Sequence, residues 1–448
     1  MPSSSLIAVV KHDCPTCNLI VPVLRALADQ GSLTVYSQDD AVFLEGVSGV
    51  VSDANLEQSF RLGVHVVPTL IRMTGGVESG RALGWHRGEW EQLSGMAALG
   101  AELPETRPGC ASRTEDPGVR ERLAIQYGGV TFQSRRIRVP ATTDPIEACY
   151  ERGWTDGLPV VPPTPERVLA MLAGTTRPAT AVVGRIPPDY AECSVEKAAI
   201  NAVMAGCKPE YLPVVLTSVE AALAPEFGLH GVLATTNAIG PVVMVNGPIA
   251  RAIGMNARGN AFGQGNRANA TIGRALQLIV RNVGGGRPGE IDRAVLGNPG
   301  KYTFCFAEDE PTAQPSGWES FAVERGFAAG TSTVTVFPGD GATPIVDETS
   351  REAESLLQSF AAVLRAAYNP KKIGDLIVVV VVTPEHAGVF QGAGWSKQQF
   401  KTALEALLES KFRRLDVVRA GGSAGKYSAY ITGLALITSG PVTREVLS

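Results

Sequence analysis

The sequence predicts an α/β protein in two parts: a small N-terminal domain over residues 1–102 and a larger α/β domain over 121–448. Three observations lead there. Short apolar runs of strand length alternate with stretches whose apolar residues recur at helical spacing. A polar, aperiodic stretch rich in Pro and Gly, 104–118, reads as a linker, with bounds of 103–120. Beyond it, the order helix, apolar strand, proline-containing turn, helix occurs twice, which suggests pseudo-symmetric halves over 121–315 and 316–448.

In the N-terminal part, 6–10 reads as a buried strand, followed by Lys11-His12-Asp13-Cys14-Pro15-Thr16-Cys17. Pro15 suits the first helical turn, where a missing N–H costs nothing. Ile20, Val23, Leu24 and Leu27 then share a helix face. A second strand is expected over 32–36 and a helix over 55–62 stopped by Gly63, leading into Val67-Pro68-Thr69-Leu70. Gly75-Gly76 turns the chain into a strand over 77–83, and a helix over 89–97 closes the domain. A strand that feeds Cys-Pro-x-Cys into a helix is a thiol–disulfide arrangement. The helix N-terminus offers free N–H groups and partial positive charge to the first thiolate, and the second cysteine lies within disulfide reach.

The order β-α-β-α-β-β-α and the motifs Cys14-Pro15-Thr16-Cys17, Phe60-x-x-Gly63-Val64, Val67-Pro68-Thr69-Leu70 and Gly84 resemble the thioredoxin family over about residues 5–100. The resemblance implies Cys14 as nucleophile, Cys17 as resolving thiol, a redox-active Cys14–Cys17 disulfide, and Pro68 as a cis-proline whose preceding backbone pairs with a bound thiol substrate. His12-Asp13 departs from the family's Trp before the first cysteine; a protonated His12 would favour the thiolate and Asp13 oppose it.

In the larger part, 127–139 reads as a hairpin turning at Gln133-Ser134. Helices are expected over 165–172, 195–205, 210–223, 270–283, 350–367 and 396–408, and strands over 241–245, 302–307, 376–382 and 416–419. Thr383-Pro384-Glu385-His386 reads as a turn. The motifs Asp156-Gly157-Leu158-Pro159-Val160-Val161-Pro162-Pro163-Thr164, Ala199-Ile200-Asn201-Ala202-Val203-Met204-Ala205-Gly206-Cys207, Asn298-Pro299-Gly300-Lys301-Tyr302-Thr303-Phe304-Cys305 and Gly394-Trp395-Ser396-Lys397 make residues 150–448 similar to a bacterial family with no assigned reaction.

Four constellations there bear chemistry-capable groups. Lys197 and Asn201 share a helix face that ends at Cys207, whose alternative is a buried apolar thiol. Asn256 to Arg274 gathers Asn260, Asn266, Arg267 and Asn269 among glycines, suited either to an anion or to a tight structural loop. Strand alternation places Lys301, Thr303 and Cys305 on one face, followed by Glu308 and Glu310 as proton carriers or solvated acids. Gly421-Gly422-Ser423-Ala424-Gly425-Lys426 is a glycine-rich turn without phosphate-loop spacing. His386 and His230 read as hydrogen-bonders, with His386 the better candidate for a base.

A net charge of −4 with no basic block gives no footprint for nucleic acid or an acidic membrane, and the apolar runs are too short to span a bilayer. The N-terminus has no basic n-region or long apolar stretch, so a cytoplasmic location is expected. Seven cysteines, an odd number, argue against a fully paired framework, and their spacing supplies no metal ligand set. The reading that results is a thiol-dependent oxidoreductase or sulfur-transfer/lyase enzyme acting on a small anionic organic substrate, with organosulfur compounds among the candidates. Cys14, Cys17, Cys207, Cys305 and Lys197 would be catalytic; Pro68, Asn201, Asn260, Asn266, Arg267, Asn269 and Lys301 would bind substrate. A cellular thiol is the expected reductant, no other cofactor is implied, and a homo-oligomer is compatible. The alternatives are a non-redox lyase or hydrolase with a docking domain, and a thiol sensor or sulfur-carrier binding protein.

Overall fold

The structure, a computed structural model, describes residues 4–310, 317–367, 377–408, 414–422, 428–432 and 440–447. It is α/β throughout and divides into two compact units, Met1–Thr131 with Pro165–Arg167, and Phe132–Thr164 with Val168–Ser448. Among the described residues, no helix is long and apolar enough to cross a membrane.

In the first unit, five strands run in the order Val50–Ser52, Leu33–Ser37, Ser4–Val10, Thr69–Thr74, Val77–Leu83. The first three are parallel and the last two antiparallel. Ala8, Val9 and Val10 of the central strand are fully buried, as a strand covered on both faces requires. The helix expected after Cys14 is two: Pro15–Leu19 and Val21–Ala28 meet at Ile20. Pro22 has no N–H for the preceding turn, so the helix must restart there. The second helix buries Val23, Leu24 and Leu27, the residues its period places on one face.

Residues 103–120, expected to be a linker, instead form part of this unit. Cys110–Ala111 pairs antiparallel with Val66–Val67, and Thr106–Arg107 pairs with Trp85–His86. Gln38 Nε2 donates to Ser112 Oγ at 2.7 Å, Arg113 Nη1 donates to Gln38 O at 2.8 Å, and Thr114 Oγ1 donates to Val64 O at 2.7 Å. A polar, aperiodic composition marks a segment without a face of its own. It does not prevent that segment from completing another element's backbone hydrogen bonds. The helix Val119–Tyr127 follows.

The second unit holds two four-stranded sheets of the same design. One runs Cys305–Ala307, Gly240–Asn246, Thr333–Gly339, Val442–Glu445; the other runs Arg414–Arg419, Ile377–Val382, Ser428–Thr432, Thr343–Val346. Each begins with a parallel pair and continues with two antiparallel pairings. The edge strands are exchanged: Thr343–Val346, which follows Thr333–Gly339 in the chain, joins the second sheet, and Val442–Glu445, which follows Ser428–Thr432, joins the first. The expected division at 315/316 is therefore corrected. With the halves divided after Val346, each sheet takes one edge strand from the other half.

Alternation along the strands builds the layers. Val242, Met244, Phe306 and Phe337 of the first sheet share a core with Val379, Val381 and Val418 of the second. The opposite residues, Val243, Val245, Val334 and Val336, pack under the helices Val195–Ala205, Leu212–Ala222 and Arg267–Asn282. Val378, Val380 and Val382 pack under Ala353–Ala367 and Lys397–Leu408. The result is helix, sheet, sheet, helix.

Three local expectations are corrected. No strand forms over 127–139; the Gln133 and Ser134 amides there donate to the buried Glu196 carboxylate at 3.0 and 2.8 Å. The strand expected over 302–307 is only Cys305–Ala307, because Asn298 Oδ1 accepts from Gly300 N and turns Pro299–Lys301 into a 3-10 helix. Residues 384–386 begin the helix Pro384–Gly392, with Thr383 at its N-cap and the proline in its first turn.

Candidate functional site

The loop before Cys14 is held by Asp39, whose carboxylate accepts from His12 N at 2.6 Å and Asp13 N at 3.3 Å. Asn18 Nδ2 donates to the carbonyls of His12 (2.7 Å) and Cys14 (3.0 Å), fixing the turn into the helix. The His12 ring stacks on Phe43 with centroids 5.3 Å apart. Cys14 is the N-cap of Pro15–Leu19, and its Sγ accepts from Cys17 N at 3.4 Å. The same sulfur lies 3.6 Å from Val67 O, immediately before Pro68, and the Val67–Pro68 peptide is cis.

These contacts separate the two thiols. The Cys17 thiol donates to the Cys14 sulfur and outweighs burial; with further hydrogen bonds from the Cys110 thiol and the Cys17 and Thr16 amides, the Cys14 pKa is lowered to about 5. Cys17 is pushed far up, first by burial and then by the Cys14 sulfur. Cys110 is raised, first by burial and then by Cys14. All seven cysteines are free, and Cys14 alone is pushed down. Cys110 lies in the segment read as a linker, so its place beside Cys14 had no local signal.

No family model and no curated relative matches the chain. A solved structure, StoA from Bacillus subtilis, is similar over 21% of this chain and 81% of its own, with 16% identity and a TM-score of 0.18.

In the second unit, Cys207, Cys305 and Arg267 all meet the helix Arg267–Asn282. Cys207 Sγ donates to Thr271 O at 3.4 Å, Arg267 Nε donates to Gly206 O at 2.9 Å, and Cys305 receives a hydrogen bond from the Gly273 amide. Burial pushes Cys207 up to about 12, and burial and then Cys207 push Cys305 higher still. As arranged, both are neutral thiols at pH 7. Lys197 does not serve them: its Nζ donates to Glu192 O at 2.6 Å, and its charge acts on Cys193. Asn201 donates to Lys197 O at 2.9 Å and accepts from Asn282 Nδ2 at 2.9 Å.

The amides of the asparagine-rich loop bond mainly to the loop's own backbone, while Arg267 is exposed beyond its Nε contact. Asn266 Oδ1 caps the helix by accepting from Asn269 N at 3.0 Å, while its Nδ2 donates to Gly254 O at 2.8 Å. Asn269 accepts from Asn256 N and donates to Asn256 O and Ala261 O, and Asn260 Nδ2 donates to Gln264 O. Arg274 makes a bidentate pair with Asp156 at 2.8 Å. These amides and this arginine are committed to backbone and carboxylate within the fold.

Lys301 lines a cleft of about 560 Å³ with Gln277, Arg281, Asp292 and Asn298, its Nζ 2.7 Å from Asp292. Gln277 Nε2 and Arg281 Nε are buried there with no hydrogen-bond partner among the described residues. Both sit on the helix Arg267–Asn282 at positions four apart, a spacing visible in the sequence but obscured by its many polar neighbours.

The acids after Cys305 are structural. Glu308, raised by burial, accepts from Asn246 Nδ2 at 2.5 Å and Phe321 N at 2.8 Å; Glu310 accepts from Gly247 N at 2.6 Å. Lys397 of the Gly394-Trp395-Ser396-Lys397 motif is buried 3.3 Å from Glu324 and 4.0 Å from Glu308. His386 is buried against Phe360 with Nε2 3.1 Å from Asp347 O, and His230 lies 3.1 Å from Tyr190 Oη. Of the glycine-rich turn after residue 420, positions 423–427 lie outside the described residues.

Proposed function

We propose that the chain is a thiol–disulfide oxidoreductase. Its first, thioredoxin-like unit exchanges electrons at Cys14, and its second unit binds a small polar or anionic substrate in the cleft of Gln277, Arg281 and Lys301. The observation that carries the reading is Cys14, the one cysteine held as a thiolate, with a protonated thiol three residues on.

The Cys14 thiolate attacks one sulfur of a disulfide; that S–S bond breaks, and the departing thiolate takes a proton. Cys14 is then uncharged, which removes one of the influences that hold the Cys17 proton. Cys17 loses that proton to the second leaving thiolate as it attacks Cys14 Sγ. One disulfide is reduced and the Cys14–Cys17 disulfide forms; a cellular thiol returns the pair to its dithiol form. Cys207 and Cys305 take no nucleophilic part in this scheme, because burial keeps both protonated. Joining such a dithiol to a substrate-binding unit gives it a local concentration of roughly millimolar.

The test is the pH profile of alkylation by iodoacetamide, read by peptide mass spectrometry. Cys14 should react with a half-maximal rate near pH 5, and the fast phase should vanish in Cys14→Ser. A midpoint above pH 8, or no Cys14–Cys17 disulfide in a glutathione redox buffer, would sink the proposal.

A further inference from the structure

The segment carrying Cys110 occupies a strand edge beside Cys14. It pairs antiparallel with the two residues before Pro68, Val66 opposite Ala111 and Val67 opposite Cys110. Backbone pairing of an extended segment to an open strand edge is a general mode of peptide recognition, and here the chain supplies the segment itself. Cys14 Sγ is 3.6 Å from the carbonyl of the same Val67, so the register brings Cys110 to the nucleophile. The two thiols act on each other's charge: Cys110 lowers the Cys14 pKa, and Cys14 raises that of Cys110.

This close approach is built in. A Cβ on Gly109 would stand 2.4 Å from Val66 Cγ1 and 2.7 Å from Val67 O, and one on Gly84 would stand 2.8 Å from Gly109 N. Two glycines back to back are what admit the segment. Thr16, between the two cysteines, donates its hydroxyl to Pro108 O at 2.7 Å and ties the redox loop to it. Anchors stand on either side: Trp85 Nε1 donates to Pro104 O at 2.7 Å, and Ser112 N donates to His65 O at 2.9 Å.

We propose that Cys110 is a built-in exchange partner of Cys14, a third redox thiol held by the strap 104–116 in the position of a substrate sulfur. The proposal rests on the dithiol reading above and adds a step to it. The Cys14 thiolate attacks a low-molecular-weight disulfide, and its first half leaves as a thiol. Cys110 then gives up its proton and attacks Cys14 Sγ; the second half takes that proton and leaves. Two protein thiols become a Cys14–Cys110 disulfide, and one small disulfide becomes two thiols. Cys17 next attacks Cys14 Sγ, breaking the Cys14–Cys110 bond and forming Cys14–Cys17, and its proton passes to Cys110. This last step is an isomerisation and needs no further oxidant. With the strap in place Cys14 is only 1% exposed, so a small disulfide gains the sulfur by local opening of the strap, while an extended polypeptide finds its pairing edge occupied.

The experiment uses the full chain with oxidised glutathione, an acid quench, N-ethylmaleimide blocking and non-reducing peptide mass spectrometry. In Cys17→Ser, the Cys14–Cys110 linked peptide should exceed the Cys14–glutathione adduct by roughly tenfold or more, since strand pairing holds the partner on the residue beside Cys14. In Cys17→Ser/Cys110→Ser, the glutathione adduct should accumulate instead. In the unaltered chain, the same linked peptide should appear transiently before Cys14–Cys17, a readout that does not depend on either variant folding. A lasting Cys14–glutathione adduct in Cys17→Ser with Cys110 blocked by maleimide, or no transient in the unaltered chain, overturns the inference and leaves the dithiol reading standing. Absence of any oxidised Cys14 overturns both.

Discussion

A thiol's charge depends on what its sulfur accepts, and Cys14 accepts from two thiols and from the amides of its own helix turn. Removing the Cys110 donor by Cys110→Ala should raise the pH midpoint of Cys14 alkylation by about one unit, the scale of one hydrogen bond to a charged group. No change would mean that Cys110 does not touch the sulfur. The sequence displayed Cys14 and Cys17 openly, because their spacing is itself the chemistry. Cys110 was invisible as a partner because its contact arises from strand pairing between distant segments. A second residue prediction concerns Asp347. Burial pushes its carboxyl up, but hydrogen bonds from Ser350, Ser359 and Thr349 outweigh this and hold it well below the usual carboxylate range. Its stabilisation is therefore complete above the unfolded value of about 4 and is lost as pH falls below it. Urea midpoints between pH 6 and pH 3 should fall less steeply in Asp347→Asn than in the unaltered chain.

Elements with a strong period were legible, and elements defined by what they pair with were not. The helices Pro165–Leu172 and Val195–Ala205 have the bounds their patterns give, whereas the strap over 104–116 has no pattern of its own. Its fit against Val66–Val67 makes Gly109→Ala a sharp probe: the added methyl meets Val66 Cγ1 at 2.4 Å. Overpacking of this kind should cost about 1–3 kcal/mol, read as a lower urea midpoint, with faster maleimide labelling of Cys110 as the strap lifts. The asparagine loop makes the converse case. Asn266→Ala removes the N-cap of Arg267–Asn282 and should cost about 1 kcal/mol or more in stability. A loss of substrate affinity with no loss of stability would restore a binding role for Asn266.

At the scale of the whole chain, the second unit is two copies of one sheet plan that trade their last strands. Neither sheet is complete without the other half. A chain ended before Pro441 would leave Thr333–Gly339, buried at every position, with an open edge. Such a truncation should unfold at lower urea and self-associate, as an uncovered apolar edge does. An unaltered midpoint and a sharp monomer peak in size-exclusion chromatography would show that Val442–Glu445 is dispensable. Separate expression of 121–346 and 347–448 should likewise yield no soluble half, since each would lack an edge strand of its own sheet, whereas two self-contained halves would each fold.

The sequence established the α/β class, the dithiol at a helix N-terminus and the principal helices and apolar strands, because each rests on local spacing. Tertiary structure decided which cysteine segment pairs beside Cys14, which thiols burial keeps protonated, which asparagines bond within their own loop, and which sheet each edge strand completes. Those outcomes depend on burial and on pairing between segments far apart in the chain, and neither is written in the spacing of neighbouring residues.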